Sequence, residues 1–290
     1  MAGGGYWWWS RGRTAKLGQA AYEQTLAILE KGPRPPGSAN LKAVRERVAA
    51  ELRKAGWVTQ GQPFERMTPA GNMAFENLRA RFPAGAADPW KQPVKGILCA
   101  HIDSKTFKDK LFVGADDAAS ACAAIVEIAR FLARTKPAQA HNLELVFFDG
   151  EEAIDSDITR TDGLYGSRFY GNFWRDRADK PKFGILLDMI GHEDLVIRLS
   201  SDTPEDLRER VFAAAKAEGE DEHFGMAATP ITDDHTPLND LAGIPTVDII
   251  GEFGRGGWWH TPADNRRIIS ASSLDISIRV TLRMLDGWLK

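Results

Sequence analysis

Leu145-Val-Phe-Phe-Asp-Gly-Glu-Glu-Ala153 is an apolar run that stops abruptly in an aspartate, a glycine and two consecutive glutamates. Four apolar residues in succession suit a strand buried on both faces, as in a parallel sheet covered by helices. The carboxyl edge of such a sheet is where open α/β folds hold their ligands. Charge concentrated at that edge points to chemistry. Adjacent glutamates also project in different directions, so Glu152 can face a metal while Glu151 handles protons.

Outward from this run, apolar segments bounded by turn residues alternate with helix-period segments. Strands are expected near 58–64, 76–82, 94–100, 143–148, 183–190, 194–199 and 244–250. Helices are expected near 15–29, 41–55 and 117–134, the first two separated by Arg34-Pro-Pro-Gly-Ser38, and Leu274, Ile278, Leu282, Leu285 and Leu289 mark a closing helix. The pattern predicts a three-layer α/β/α sandwich with a central mixed, mostly parallel sheet flanked by helices. Residues 15–290 form one domain in this reading, and residues 1–14 are a tail outside it. Within that tail, Tyr6-Trp-Trp-Trp9 reads as a processing scar or as an aromatic patch for a partner or membrane surface.

Composition narrows the function classes. The 290 residues carry 37 Lys and Arg against 40 Asp and Glu, a net charge of -3, and no basic run. Nucleic acid is excluded as a partner on that balance. No apolar stretch approaches the roughly 20 residues of a membrane span, and the amino-terminal region lacks an export-signal core of about 7 to 15 apolar residues. The two cysteines, Cys99 and Cys122, cannot build a disulfide scaffold or a thiolate zinc site, so His and carboxylates must hold any metal.

Five such residues stand at or just beyond the ends of apolar runs: His101, Asp117, Glu152, Asp188 and His260. Alone, His101-Ile-Asp-Ser-Lys105 is a surface histidine beside an aspartate, although Asp103 can fix the imidazole tautomer as a support for a metal ligand. Val113-Gly-Ala-Asp-Asp117 alone is a helix cap. Asp188, in Gly184-Ile-Leu-Leu-Asp-Met-Ile190, is costly in an apolar strand unless paired or metal-bound. His260 follows Trp258 and Trp259 in a loop, where a core tryptophan pair is the plain alternative. Together, hard oxygen ligands mixed with imidazole suit Zn2+, one or two ions, with an open position for catalysis.

The set His101-x-Asp103, Gly114-Ala-x-Asp117, Phe147-Phe-Asp-Gly-Glu-Glu152, Leu164-Tyr-Gly-Ser-Arg168, Leu187-Asp188, Asp233-Asp-His235 and Trp259-His-Thr261 resembles the zinc-dependent aminopeptidase and glutaminyl cyclase family. Arg34-x-Pro-Gly-Ser38 and His101-Ile-Asp-Ser-Lys105 resemble its animal-type glutaminyl cyclase branch. The resemblance implies that Asp117, Glu152 and His260 hold the catalytic zinc, that Glu151 is the general acid/base, and that His101 and Asp188 complete a second zinc in the aminopeptidases, with Asp117 bridging. It also implies a monomer acting on peptide or protein amino termini, in a periplasmic or secreted setting. Asp233 is expected at the catalytic centre, as a participant or as a support.

Departures from the cyclase pattern fall on the pocket. Asp157, Thr232 and Asp248 stand where the cyclases carry a tryptophan, a glutamine and a histidine, while Trp259 is retained as a wall. A wetter, more acidic pocket favours binding an ammonium and so an aminopeptidase. Cyclisation of an amino-terminal glutamine is the leading expectation, hydrolysis of the first peptide bond its alternative. A non-catalytic binding module is the third reading, and intact Glu151 with all five ligand candidates argues against it. The secreted cyclases pair a cysteine directly before the histidine with one in the following helix. Cys99 lies one residue further back and points to the opposite face, so free thiols are expected.

Overall fold

The computed structural model describes the backbone of residues 4–289 and the side chains of residues 16–289. In chain order the elements are α1 (Gly4–Leu29), α2 (Ala39–Lys54), β1 (Val58–Thr68), β2 (Gly71–Arg81), β3 (Gly96–His101), α3 (Ala121–Thr135), the single turn α4 (Pro137–Ala140), β4 (Leu143–Phe148) and α5 (Tyr165–Trp174). They continue with β5 (Phe183–Asp188), β6 (Ile197–Leu199), α6 (Glu205–Glu218), β7 (Phe224–Met226), the single turn α7 (His235–Pro237), β8 (Thr246–Gly251) and α8 (Ala271–Trp288).

The strands form one eight-stranded sheet in the order β1-β2-β4-β3-β5-β8-β6-β7. Its centre, β4-β3-β5-β8, is parallel, and β1, β2 and β6 join it antiparallel. Alternation along the strands sorts the core into two layers. Leu98, Ala100, Leu145, Phe147, Ile185 and Leu187 meet residues of α1, α2, α3, α6 and α8, whereas Ile97, Cys99, Val146, Phe148 and Leu186 meet Tyr170 and Trp174 of α5 with Leu238 and Ala242. The expected three-layer sandwich with a mixed, mostly parallel sheet is therefore the observed fold.

Local chemistry explains the element ends. Ser38 closes α2 by accepting a hydrogen bond from the Leu41 amide at 3.1 Å, a side-chain N-cap. Helix α3 buries Ile125, Ile128 and Leu132 completely, each contributing at most about 1.5–3 kcal/mol of transfer free energy. The first helix, expected from residue 15, begins at Gly4, so the backbone of residues 4–14 is helical where a tail was expected. No proline interrupts residues 4–29, and an established helix adds one hydrogen bond for each further residue. Residues 1–3 of that expected tail lie outside the described residues. Cys99 and Cys122 are free and buried in opposite layers, as expected from the strand alternation.

Candidate active site

Every site residue sits at the carboxyl edge of the parallel centre. His101 ends β3, Asp188 ends β5, and Glu151 and Glu152 lie just past β4. The chain turns between β4 and the glutamates at Gly150, whose φ is +74° and where a Cβ would come within 2.5 Å of the Phe75 ring. Asp117 lies in an irregular turn before α3, and His260 lies in the loop after β8 with φ +53°.

These side chains converge. His101 Nε2 is 3.1 Å from Asp117 Oδ1 and 3.3 Å from Asp188 Oδ1. His260 Nε2 is 3.4 Å from Asp117 Oδ2 and 3.3 Å from Glu152 Oε1. Asp117 thus lends one oxygen to each of two groups, His101–Asp117–Asp188 and Asp117–Glu152–His260, whose candidate ligand atoms lie within 4.8 Å of one another in each group.

A surrounding layer fixes the geometry. Asp103 approaches His101 Nδ1 at 3.5 Å and accepts the backbone N–H groups of Glu151 and Glu152 at 3.2 and 3.3 Å. One carboxylate therefore faces an imidazole and registers both glutamates. Lys105 Nζ lies 3.4 Å from Glu152 Oε2 and donates to the Ala153 carbonyl at 2.9 Å. Trp259 stacks on the His260 ring with centroids 3.8 Å apart, and Phe107 and Phe112 meet that ring edge-on.

The electrostatics follow from burying so many carboxylates together. Burial pushes Glu151 well above the usual carboxylate range, and the charges of Glu152, Asp233 and Asp234 reinforce it against the opposing effect of His101. Burial pushes Asp188 up to about 7, opposed by the neighbouring His101. For Asp117 burial is outweighed by the hydrogen bonds and charges of His101 and His260, which hold it below the usual range. The same contacts, with Glu152, push His260 up to about 9 despite burial. In effect the imidazoles stand in for a cation among the carboxylates. Glu152 Oε1 and Asp188 Oδ1 are buried with no hydrogen-bond partner. Orphaned oxygens facing imidazole nitrogens are a donor set that fits a divalent metal such as zinc.

A cleft of about 340 Å³ opens over these groups, and Glu151, Asp157, Thr232, Asp233 and Trp259 line it. Asp248 does not line it. It shares a strand face with Ile250, a lining residue, but lies one alternation deeper in β8 and is fully buried, with Oδ2 3.4 Å from His235 Nδ1. The expected pocket residue instead lies beneath the cleft, grouped with His235 and Asp233 within 4.8 Å. A second hollow of similar size, beside Lys54 and Arg134, contains Arg130, which already pairs with Glu51 and Glu127. Arg34 and Asp264, also buried around the site, are not among the functional candidates the sequence marks, although Arg34 lies in a quoted motif.

The sheet topology and the convergent His and carboxylate groups define an α/β fold of the zinc exopeptidase class. Residues 77–285 match Peptidase family M28, and the chain belongs to that family. It is 32% identical over 260 residues to the glutaminyl-peptide cyclotransferase-like protein of Mus musculus, which covers 80% of this chain and 66% of the mouse protein. The solved structure of Porphyromonas gingivalis glutaminyl cyclase superposes with a TM-score of 0.82 at 30% identity, covering 93% of this chain and 98% of that one. A Zn-dependent exopeptidase from Parabacteroides distasonis superposes with a TM-score of 0.82 at 25% identity, covering 92% and 97%. Among the described residues no helix is long and apolar enough to cross a membrane.

Proposed function

We propose that the protein is a zinc-dependent glutaminyl-peptide cyclotransferase that closes an amino-terminal glutamine to pyroglutamate with release of ammonia, residues 15–290 acting as one monomeric catalytic unit. The observation that carries the reading is Glu151, buried at the cleft floor beside Asp117, Glu152 and His260 with its proton affinity raised. In this reading Asp117, Glu152 and His260 hold one zinc, and His101 and Asp188 with Asp117 are placed for a second. Zinc, when bound, supplies a Lewis acid that polarises the γ-carbonyl of the substrate glutamine.

The chain's own residues do the rest. Glu151 accepts a proton from the α-amine as its nitrogen attacks the carbon of the side-chain amide carbonyl (Cδ), then returns one to the departing amide nitrogen, which leaves as ammonia as its bond to that carbon breaks. A carboxyl group with raised proton affinity suits both halves of that exchange, since a base near working pH also serves as an acid. Trp259 walls the cleft beside His260. Asp157 and Asp233 line the same space.

Asp157 and Thr232 also favour a second reading, an aminopeptidase in which Glu151 deprotonates water that attacks the first peptide bond. Incubating purified protein and zinc with a glutaminyl peptide and following it by mass spectrometry separates the two. Loss of ammonia from the peptide is the expected result, and release of the first residue would establish the peptidase instead. Zinc in the site with neither product formed would overturn both readings.

A further inference from the structure

Arg34 and Asp264 are far apart in sequence, fully buried, and outside the metal and proton chemistry assigned above. Both reach the turn that carries Asp117. The Arg34 guanidinium donates to the carbonyl of Val113, to that of Gly114 at 2.9 Å and, through Nε, to that of Ile102 at 2.9 Å. Its backbone is tied to Ser104 in both directions, Arg34 N–H donating to Oγ at 3.0 Å and the Ser104 amide donating to the Arg34 carbonyl at 3.2 Å. From the other side, Asp264 Oδ1 accepts the amides of Ala115 and Asp116 at 3.0 and 2.8 Å, and Oδ2 accepts the amide of Asp117 at 3.2 Å.

Two consecutive carbonyls thus end on one buried guanidinium, and the next three N–H groups end on one buried carboxyl group. The guanidinium contacts are charge-assisted, roughly twice as strong as neutral hydrogen bonds. Between the two halves lies Gly114 at φ +52°, where a Cβ would come within 1.9 Å of the Asp117 carbonyl oxygen, so no side chain fits the turn. Asp117 is the residue common to both candidate metal groups. Arg34 also ties this turn to Ile102, the residue after His101, and Asp264 ties it to the loop that carries His260 four residues earlier.

We propose that Arg34 and Asp264 are paired positioning residues that clamp the backbone of residues 113–117 from opposite sides and so set the two Asp117 oxygens between His101 and His260. The inference rests on reading Asp117 as a metal ligand. An Asp264→Asn variant keeps one acceptor but turns a donor toward the turn's N–H groups, and Arg34→Met removes every donor while keeping apolar bulk.

In wild-type protein the amides of Ala115, Asp116 and Asp117 exchange slowly with deuterium, as buried bonded amides do, and in Asp264→Asn they exchange faster. Zinc affinity, read by chelator competition on the folded variants, falls about 10- to 100-fold for each, and the visible spectrum of the cobalt-loaded protein shifts. Arg34→Lys, which retains charge but not the fork of donors, recovers only part of the loss. Leu285→Ala in the α8 core is the control: it lowers the melting temperature and leaves zinc affinity and cobalt spectrum as in wild type. Variants that bind zinc within twofold of wild type with unchanged cobalt spectra, or wild-type amides at 115–117 exchanging at open-loop rates, overturn the clamp. Failure of wild-type protein to bind zinc would instead overturn the functional reading, and the exchange arm would still test the clamp. If a variant fails to fold, the wild-type exchange measurement decides.

Discussion

The two ends of β4 treat buried carboxylates in opposite ways. At the amino end, Glu144 accepts hydrogen bonds from Arg79 at 2.6 Å, Arg81 at 2.7 Å and the Tyr170 hydroxyl at 3.0 Å. Burial pushes Glu144 up, but the two arginines outweigh it and hold it below the usual carboxylate range. Beyond the carboxyl end, Lys105 approaches Glu152 at 3.4 Å, Glu152 Oε1 has no hydrogen-bond partner, and Glu151 is pushed well above that range. One strand thus carries at one end a cluster whose carboxylate is fully hydrogen-bonded and leads at the other to carboxylates that are not. A buried acid whose oxygens are all occupied has nothing left to bind; one left incomplete among imidazoles is a site.

Substitutions that close or open these ends should break the comparison where it is strongest. Glu144→Gln strands two buried arginines and is expected to cost about 3–5 kcal/mol of stability in denaturant melts, with the zinc affinity of the folded protein unchanged. Glu152→Gln is expected to lower zinc affinity by at least about 100-fold, the upper end for outer-shell partners, in a chelator titration.

The pH dependence is the next largest effect. Asp116, Asp188 and Asp234 are each pushed up to about 7, chiefly by burial, and His260 is pushed up to about 9 by its carboxylate neighbours. Groups that hold protons more tightly when folded stabilise the fold below their ordinary values and lose that contribution as pH rises through the folded ones. The melting temperature of metal-free protein should therefore fall from about pH 5 to pH 9. Zinc needs the deprotonated ligands, so its stabilisation should grow over the same range and flatten the profile. A metal-free protein that grew steadily more stable with pH would contradict this charge assignment. Smallest of all, Trp259→Ala should raise KM roughly 2- to 10-fold through the lost aromatic contact while leaving zinc content intact.

Much of this was legible because strand ends in an α/β sheet are marked by apolar runs that stop in polar residues. His101, Asp188 and the glutamates are found that way, and the separation of Cys99 from Cys122 follows from alternation. Asp248 misled for the converse reason: sequence position marks a strand but not depth, and one alternation separates the cleft from its support. The short β7 has only three residues, and α5 begins at Tyr165 of Tyr165-Gly-Ser-Arg168, whose glycine and serine are weak helix formers. Here tertiary packing overrides local preference, because Tyr170 and Trp174 bury against the sheet. The contacts of Arg34 and Asp264 are to backbone atoms, which leave no residue pattern at the receiving end.

The most direct test is a single variant. Glu151→Gln removes the proton carrier and keeps the shape of the cleft, so zinc content should match that of wild type while turnover of a glutaminyl peptide falls by about 10²- to 10⁴-fold, the range of general acid–base catalysis. A Glu151→Gln protein that turns over at the wild-type rate, or that loses its zinc, would contradict the division of labour between the two glutamates.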